Sequence, residues 1–85
     1  MIYEIKLSKK AEKYLLKLQE NQESKIIEKV KELKIEPTIN KNVKKLEGNP
    51  FWRLRVGDFR VIFDILDNKV VVLILKIGSR GDVYK

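Results

Sequence analysis

The chain contains no cysteine and no histidine. Those two absences exclude a disulfide scaffold, a zinc–thiolate site, Cys or Ser–His nucleophile systems and histidine acid–base chemistry. No apolar run approaches the ~20 residues that cross a membrane, and no signal-peptide pattern opens the chain, so a cytoplasmic protein without membrane attachment is expected. Glycine and proline are scarce, at four and two residues, so each marks a turn worth reading. Arginine is scarcer still outside one stretch. Of the 19 basic residues in 85, the four arginines (Arg53, Arg55, Arg60 and Arg80) all lie in the last third, and the others are lysines.

What is present is charge and periodicity. The net charge of +7 and pI of about 9.7 point to a polyanionic partner, nucleic acid or an acidic protein. Length allows one domain, residues 1–85, with no repeat or linker. Lysine is a solvated point charge, whereas arginine carries a planar fork that grips phosphate through two parallel hydrogen bonds. Confining arginine to one stretch therefore places a phosphate site there.

Residues 1–7 alternate Ile2, Glu4 and Lys6 against Tyr3, Ile5 and Leu7, which predicts a first strand. Ser8 is an N-cap for a helix over 9–19 with Ala11, Tyr14, Leu15 and Leu18 on one stripe. Asn21 is expected to cap a second helix, from residue 22 to about 35, with Ile26, Ile27, Val30 and Leu33 inward and Pro37 as its stop. The two form a helical hairpin on one face of a sheet. Residues 37–50 are expected to form a loop with Val43 and Leu46 tucked inward. Its Lys41, Lys44 and Lys45 are candidates for RNA-backbone contact, with plain solvation as the alternative. Glycine first in Gly57-Asp58 suits a two-residue II′ hairpin turn, which sets Val56 opposite Phe59, Arg55 opposite Arg60 and Leu54 opposite Val61. Trp52, Leu54, Val56, Phe59, Val61 and Phe63 then share the core face. Asp67-Asn68 is expected to be a second two-residue turn, leading into an interior strand over 70–77. The fold class is α+β, in the order β-α-α-β-β-β, with an antiparallel sheet.

That register puts Arg53, Arg55 and Arg60 together on the other face. Like charges directly opposed across strands cost up to ~1 kcal/mol, which an anion would relieve. The alternative is neutralisation by Asp64 or Asp82 in an ordinary surface network. Gly78 and Gly81 let the chain bend so that Arg80 returns over the sheet edge. Tyr84 is either a packing anchor or, if RNA phosphate is bound, the base that takes the 2′-OH proton, since surrounding guanidinium charge favours the phenolate. Such cleavage requires neither metal nor cofactor and excludes DNA, which lacks the 2′-OH.

The stretch WRLRVGDFRVIFDI…KVVVLILKIGSRGDVY closely resembles the RelE toxins of the RelE/ParE superfamily, from type II toxin–antitoxin modules. The inferred element order is similar to that family's fold over essentially the whole chain. The resemblance implies a ribosome-dependent endoribonuclease that cuts mRNA in the 30S A site, leaving a 2′,3′-cyclic phosphate and inhibiting translation. Arg53 and Arg55 match basic positions at the scissile phosphate that are often lysine in the family. Arg60 matches an arginine that stabilises the transition state, Arg80 the arginine proposed as general acid, and Tyr84 the tyrosine proposed as general base. The implied partners are the ribosome with its rRNA, mRNA, and a RelB-like antitoxin wrapped around the toxin. Ile62, Leu73 and Leu75 would supply part of its groove, and DNA would be met only through that antitoxin. The competing member of the superfamily is the ParE type, which inhibits DNA gyrase without catalysis.

Overall fold

The computed structural model describes residues 2–79, and Arg80, Asp82 and Tyr84 lie outside them. Strand β1 (Glu4–Leu7) leads into helix α1 (Lys9–Leu16). Ser8 is the hinge between them: its Oγ accepts the Ala11 N–H at 3.1 Å as an N-cap and donates to the Leu75 carbonyl at 2.8 Å. One hydroxyl thus starts the helix and ties it to a distant strand.

Helix α2 (Glu20–Lys31) begins earlier than expected, because Asn21 lies inside its first turn and Gln19 is the cap residue without a side-chain cap bond. Glu20 and Glu23 in the first turn complement the helix dipole instead. Tighter turns follow at Glu32–Lys34 and Pro37–Ile39. The helical run stops at Lys34, ahead of Pro37; Ile35 is extended, and Glu36 adopts a left-handed conformation, φ 43°.

The rest is sheet: β2 (Val43–Lys45), β3 (Trp52–Val56), β4 (Phe59–Leu66) and β5 (Val71–Ser79), in the spatial order β1-β5-β4-β3-β2. This is the α+β class with two helices on one face, but two expectations change. The segment 37–50 contains a strand, β2, paired antiparallel with β3. The sheet is also mixed rather than antiparallel, because β1 runs parallel to β5, pairing Glu4 with Val71 and Leu7 with Ile74.

The β3–β4 hairpin has the predicted register, Val56↔Phe59, Arg55↔Arg60 and Leu54↔Val61. Positive φ falls on Gly57 and not on Asp58, as a II′ turn requires. The next turn is longer than predicted. Leu66 pairs with Val71, so Asp67 to Val70 form a four-residue connection, closed by Lys69 N–H to Leu66 C=O and Val70 N–H to Asp67 C=O. Val70 belongs to this turn at φ 54°, an uncommon conformation for a β-branched residue.

In β5 the register shifts: Ile62 pairs with Lys76 but Phe63 with Ile74, leaving Leu75 as an extra, bulged residue. The core joins Ala11, Leu15, Ile26, Val30 and Leu33 to Leu54, Val61, Phe63, Val72 and Ile74, with Trp52 and Phe59 packed at its margin. Tyr14 meets Phe59 edge to face, centroids 6.5 Å apart. Among the described residues no helix is long and apolar enough to cross a membrane.

Candidate RNA-binding face

Because the core takes alternate residues of β3 and β4, the intervening ones share the opposite face. Arg53 and Arg55 stand on β3, and Arg60 and Ile62 beside them on β4. The Arg55 N–H goes to the Asn42 carbonyl at 2.9 Å, on the β2 side. Arg55 and Arg60 are therefore a non-hydrogen-bonded pair, the kind in which facing Cα atoms approach to about 4.5 Å and side chains come closest. Beyond Arg60 the row meets Gly78, which has no side chain to fill it. The second row runs Lys44, Arg53, Ile62, Lys76 across four strands.

No carboxylate of the described residues pairs with Arg53, Arg55 or Arg60. Asp64 lies on the same face but opposite Leu73, and Arg60 instead donates from Nη1 to the Asp58 carbonyl at 3.4 Å. Arg53 is half-buried, and its Nε is enclosed without a protein acceptor among the described residues. A hollow of about 550 Å³ opens beside Arg55, lined by Lys29, Asn42 and the Gly57-Asp58 turn.

The three candidate lysines separate. Lys44 is opposite Arg53 and extends the basic face. Lys45 is opposite Trp52 and turns to the other side, where its Nζ lies 5.1 Å from the indole centroid. Lys41 is exposed in the turn before β2. Ile62 is buried on the arginine face at 5 % exposure, Leu73 is half-buried there, and Leu75 sits in the bulge. Asn42 and Lys29 were not singled out by sequence; only the pairing of β2 brings Asn42 to Arg55, and only the fold brings Lys29 near.

A family model, the ParE toxin of the type II toxin–antitoxin system parDE, matches residues 5–84. The chain belongs to the RelE/ParE superfamily of type II toxins. Within it, the similar solved structures carry the RelE name. The RelE–RelB complex of Pyrococcus horikoshii OT3 is 33 % identical, covering 96 % of this chain and 99 % of that one, with a TM-score of 0.82. The RelBE2 toxin–antitoxin complex of Mycobacterium tuberculosis is 25 % identical over 94 % and 100 %, TM-score 0.81. A variant of Escherichia coli RelE in the free state is 29 % identical over 99 % and 92 %, TM-score 0.79. Comparison with curated protein sequences gives no match. The RelE-type fold, two helices over a five-stranded mixed sheet, is thus shared along the whole described chain.

Proposed function

We propose that this RelE-type toxin is a ribosome-dependent endoribonuclease that cuts mRNA in the A site, and that a RelB-like antitoxin holds it in check. The observation that carries the reading is the convergence of Arg53, Arg55 and Arg60 on one face, with no paired carboxylate among the described residues. RNA phosphate is the anion that fits planar, bidentate donors in a row.

In this reading Arg53 and Arg55 hold the backbone around the scissile phosphate, and Lys44 extends the grip. Tyr84 takes the 2′-OH proton, and the 2′-oxygen attacks phosphorus. The bond to the 5′-oxygen breaks, and Arg80 supplies the proton that oxygen needs. Arg60 stabilises the charge that builds on the phosphoryl oxygens. The products are a 2′,3′-cyclic phosphate and a 5′-hydroxyl. The solved relatives described as RelE–RelB complexes support the antitoxin partner.

The test is primer extension on an mRNA bound to purified ribosomes with an empty A site. A new 3′ end in the A-site codon, lost with Arg80→Ala, is expected. An uncut message from well-folded protein would overturn the reading. The name of the matching family model favours the ParE alternative, which predicts loss of supercoiling in a gyrase assay that Tyr84→Phe leaves unchanged.

A further inference from the structure

Beyond the arginines along the hairpin, the charge of the sheet reverses. Asp64 follows Arg60 by four residues on the same face of β4, about 13 Å at the rise of a strand. At that end of the sheet a hollow of about 640 Å³ opens, with Tyr3, Ile39 and Trp52 in its apolar wall. Glu36, Asp64 and Asp67 line it, and no lysine or arginine does. Asp67 accepts the Tyr3 hydroxyl, and Lys45 lies over the Trp52 ring. None of the three carboxylates has an ion-pair partner among the described residues. Ile39 is 73 % exposed, and Ile2 and Ile35, the chain neighbours of Tyr3 and Glu36, are exposed at 72 % and 66 %. Of the large apolar side chains exposed among the described residues, only Leu16 lies elsewhere. An exposed apolar wall with an acidic rim, on a chain of net charge +7, complements a segment that carries lysine or arginine beside apolar side chains. A nucleic-acid strand is the wrong occupant, because its phosphates would face the three carboxylates.

We infer that this hollow docks a basic, partly apolar segment of a ribosomal protein. The inference rests on the ribosome-dependent reading above. A protein seated in ribosomal RNA carries lysine- and arginine-rich segments to neutralise phosphate, so such cations border the place where this toxin acts. The cations of the segment meet Glu36 and Asp64, and its apolar side chains cover Ile39 and the exposed part of Trp52. The two ends of the hairpin then hold different components of one target, RNA through its phosphates and protein through its cations. The carboxylates also mark where the phosphate track of the arginine face ends, since a backbone running further would meet Asp64.

The experiment measures Kd for purified ribosomes with an empty A site, by co-sedimentation, beside Kd for a short single-stranded RNA. Glu36→Gln/Asp64→Asn removes two negative charges and takes the net charge from +7 to +9. Contact with RNA alone predicts unchanged or tighter ribosome binding by this variant. Docking of a cationic segment predicts the opposite sign: about tenfold weaker ribosome binding, with the RNA held at least as tightly. Ile39→Ser should weaken ribosome binding in the same direction with the charge unchanged. On the wild-type protein, a carbodiimide, which joins carboxylates directly to lysine amines, should couple Glu36 or Asp64 to a ribosomal-protein lysine, read by mass spectrometry. Ribosome binding that is unchanged or tighter in the folded double variant overturns the docking proposal alone. A wild-type toxin that does not bind ribosomes overturns it together with the reading it rests on. Coupling only to a second copy of the toxin assigns the hollow to self-association and also overturns it.

Discussion

Arg55 and Arg60 face each other across the β3–β4 ladder in its non-hydrogen-bonded position, without a carboxylate of the described residues between them. The hairpin register forces this pairing: the turn at Gly57 and the inward demand of Leu54, Val56, Phe59 and Val61 leave the arginines nowhere else to point. The repulsion is a local cost of the fold, and its relief by anion is measurable.

Arg55→Thr removes one of two opposed charges from an exposed position and substitutes a residue that suits a strand. Stability should rise by roughly 0.5 kcal/mol, about 3 °C in melting temperature. Added salt should shrink the difference between variant and wild type by screening the original repulsion. A variant that melts lower at low salt would show that the pair is not a liability.

Arg60→Ala should reduce ribosome-dependent cleavage by about a hundred- to a thousandfold, the usual loss on removing one transition-state donor. Tyr84→Phe should remove cutting while leaving ribosome binding nearly intact, measured by co-sedimentation. Parallel loss of binding and cutting would assign Tyr84 to anchoring rather than to proton transfer.

Ser8→Ala deletes a helix cap and leaves the Leu75 carbonyl without its donor. The expected cost is about 2 kcal/mol by chemical denaturation, with an unchanged m-value. Ser8→Asp should keep the cap but not the bond to Leu75, and recover only part of the loss.

Tyr3 donates from its hydroxyl to an Asp67 carboxylate oxygen at 2.8 Å, and that bond, more than desolvation or the carboxylate's charge, raises its pKa above the ordinary tyrosine value. The raised group is the protonated one, so its contribution is complete below about pH 10 and is lost as pH rises through the folded-state pKa. Tyr3→Phe should remove that part of the alkaline dependence. Ultraviolet titration should lose a late-ionising component in Tyr3→Phe, and Asp67→Asn should bring the Tyr3 phenol back toward its ordinary value.

The parts of the fold legible from sequence are those with local chemical signals. Glycine at 57 announced a turn, and with it the register that unites the arginines; Ser8 announced a helix start. The missed parts lack such signals. β2 is three residues with two lysines, so it shows no apolar alternation, and pairing with β3 alone makes it a strand. The four-residue turn hides because Val70, a strand-former by composition, sits at positive φ inside it. Parallel pairing of β1 with β5 joins segments with nothing between them in sequence to show it. That Arg53, Arg55 and Arg60 share a face was legible through the hairpin register, but Asn42, Lys29 and the gap at Gly78 come from tertiary placement.

That parallel pairing also bears on the order in which the molecule is assembled. The arginine hairpin closes between neighbours a few positions apart, whereas Ser8 must find Leu75 across 67 positions. Closing so long a loop is slow and entropically costly, and little rewards it until β5 is already in the sheet. The arginine face rests on local pairing, whereas the β1 edge rests on the most distant strand pairing of the described sheet.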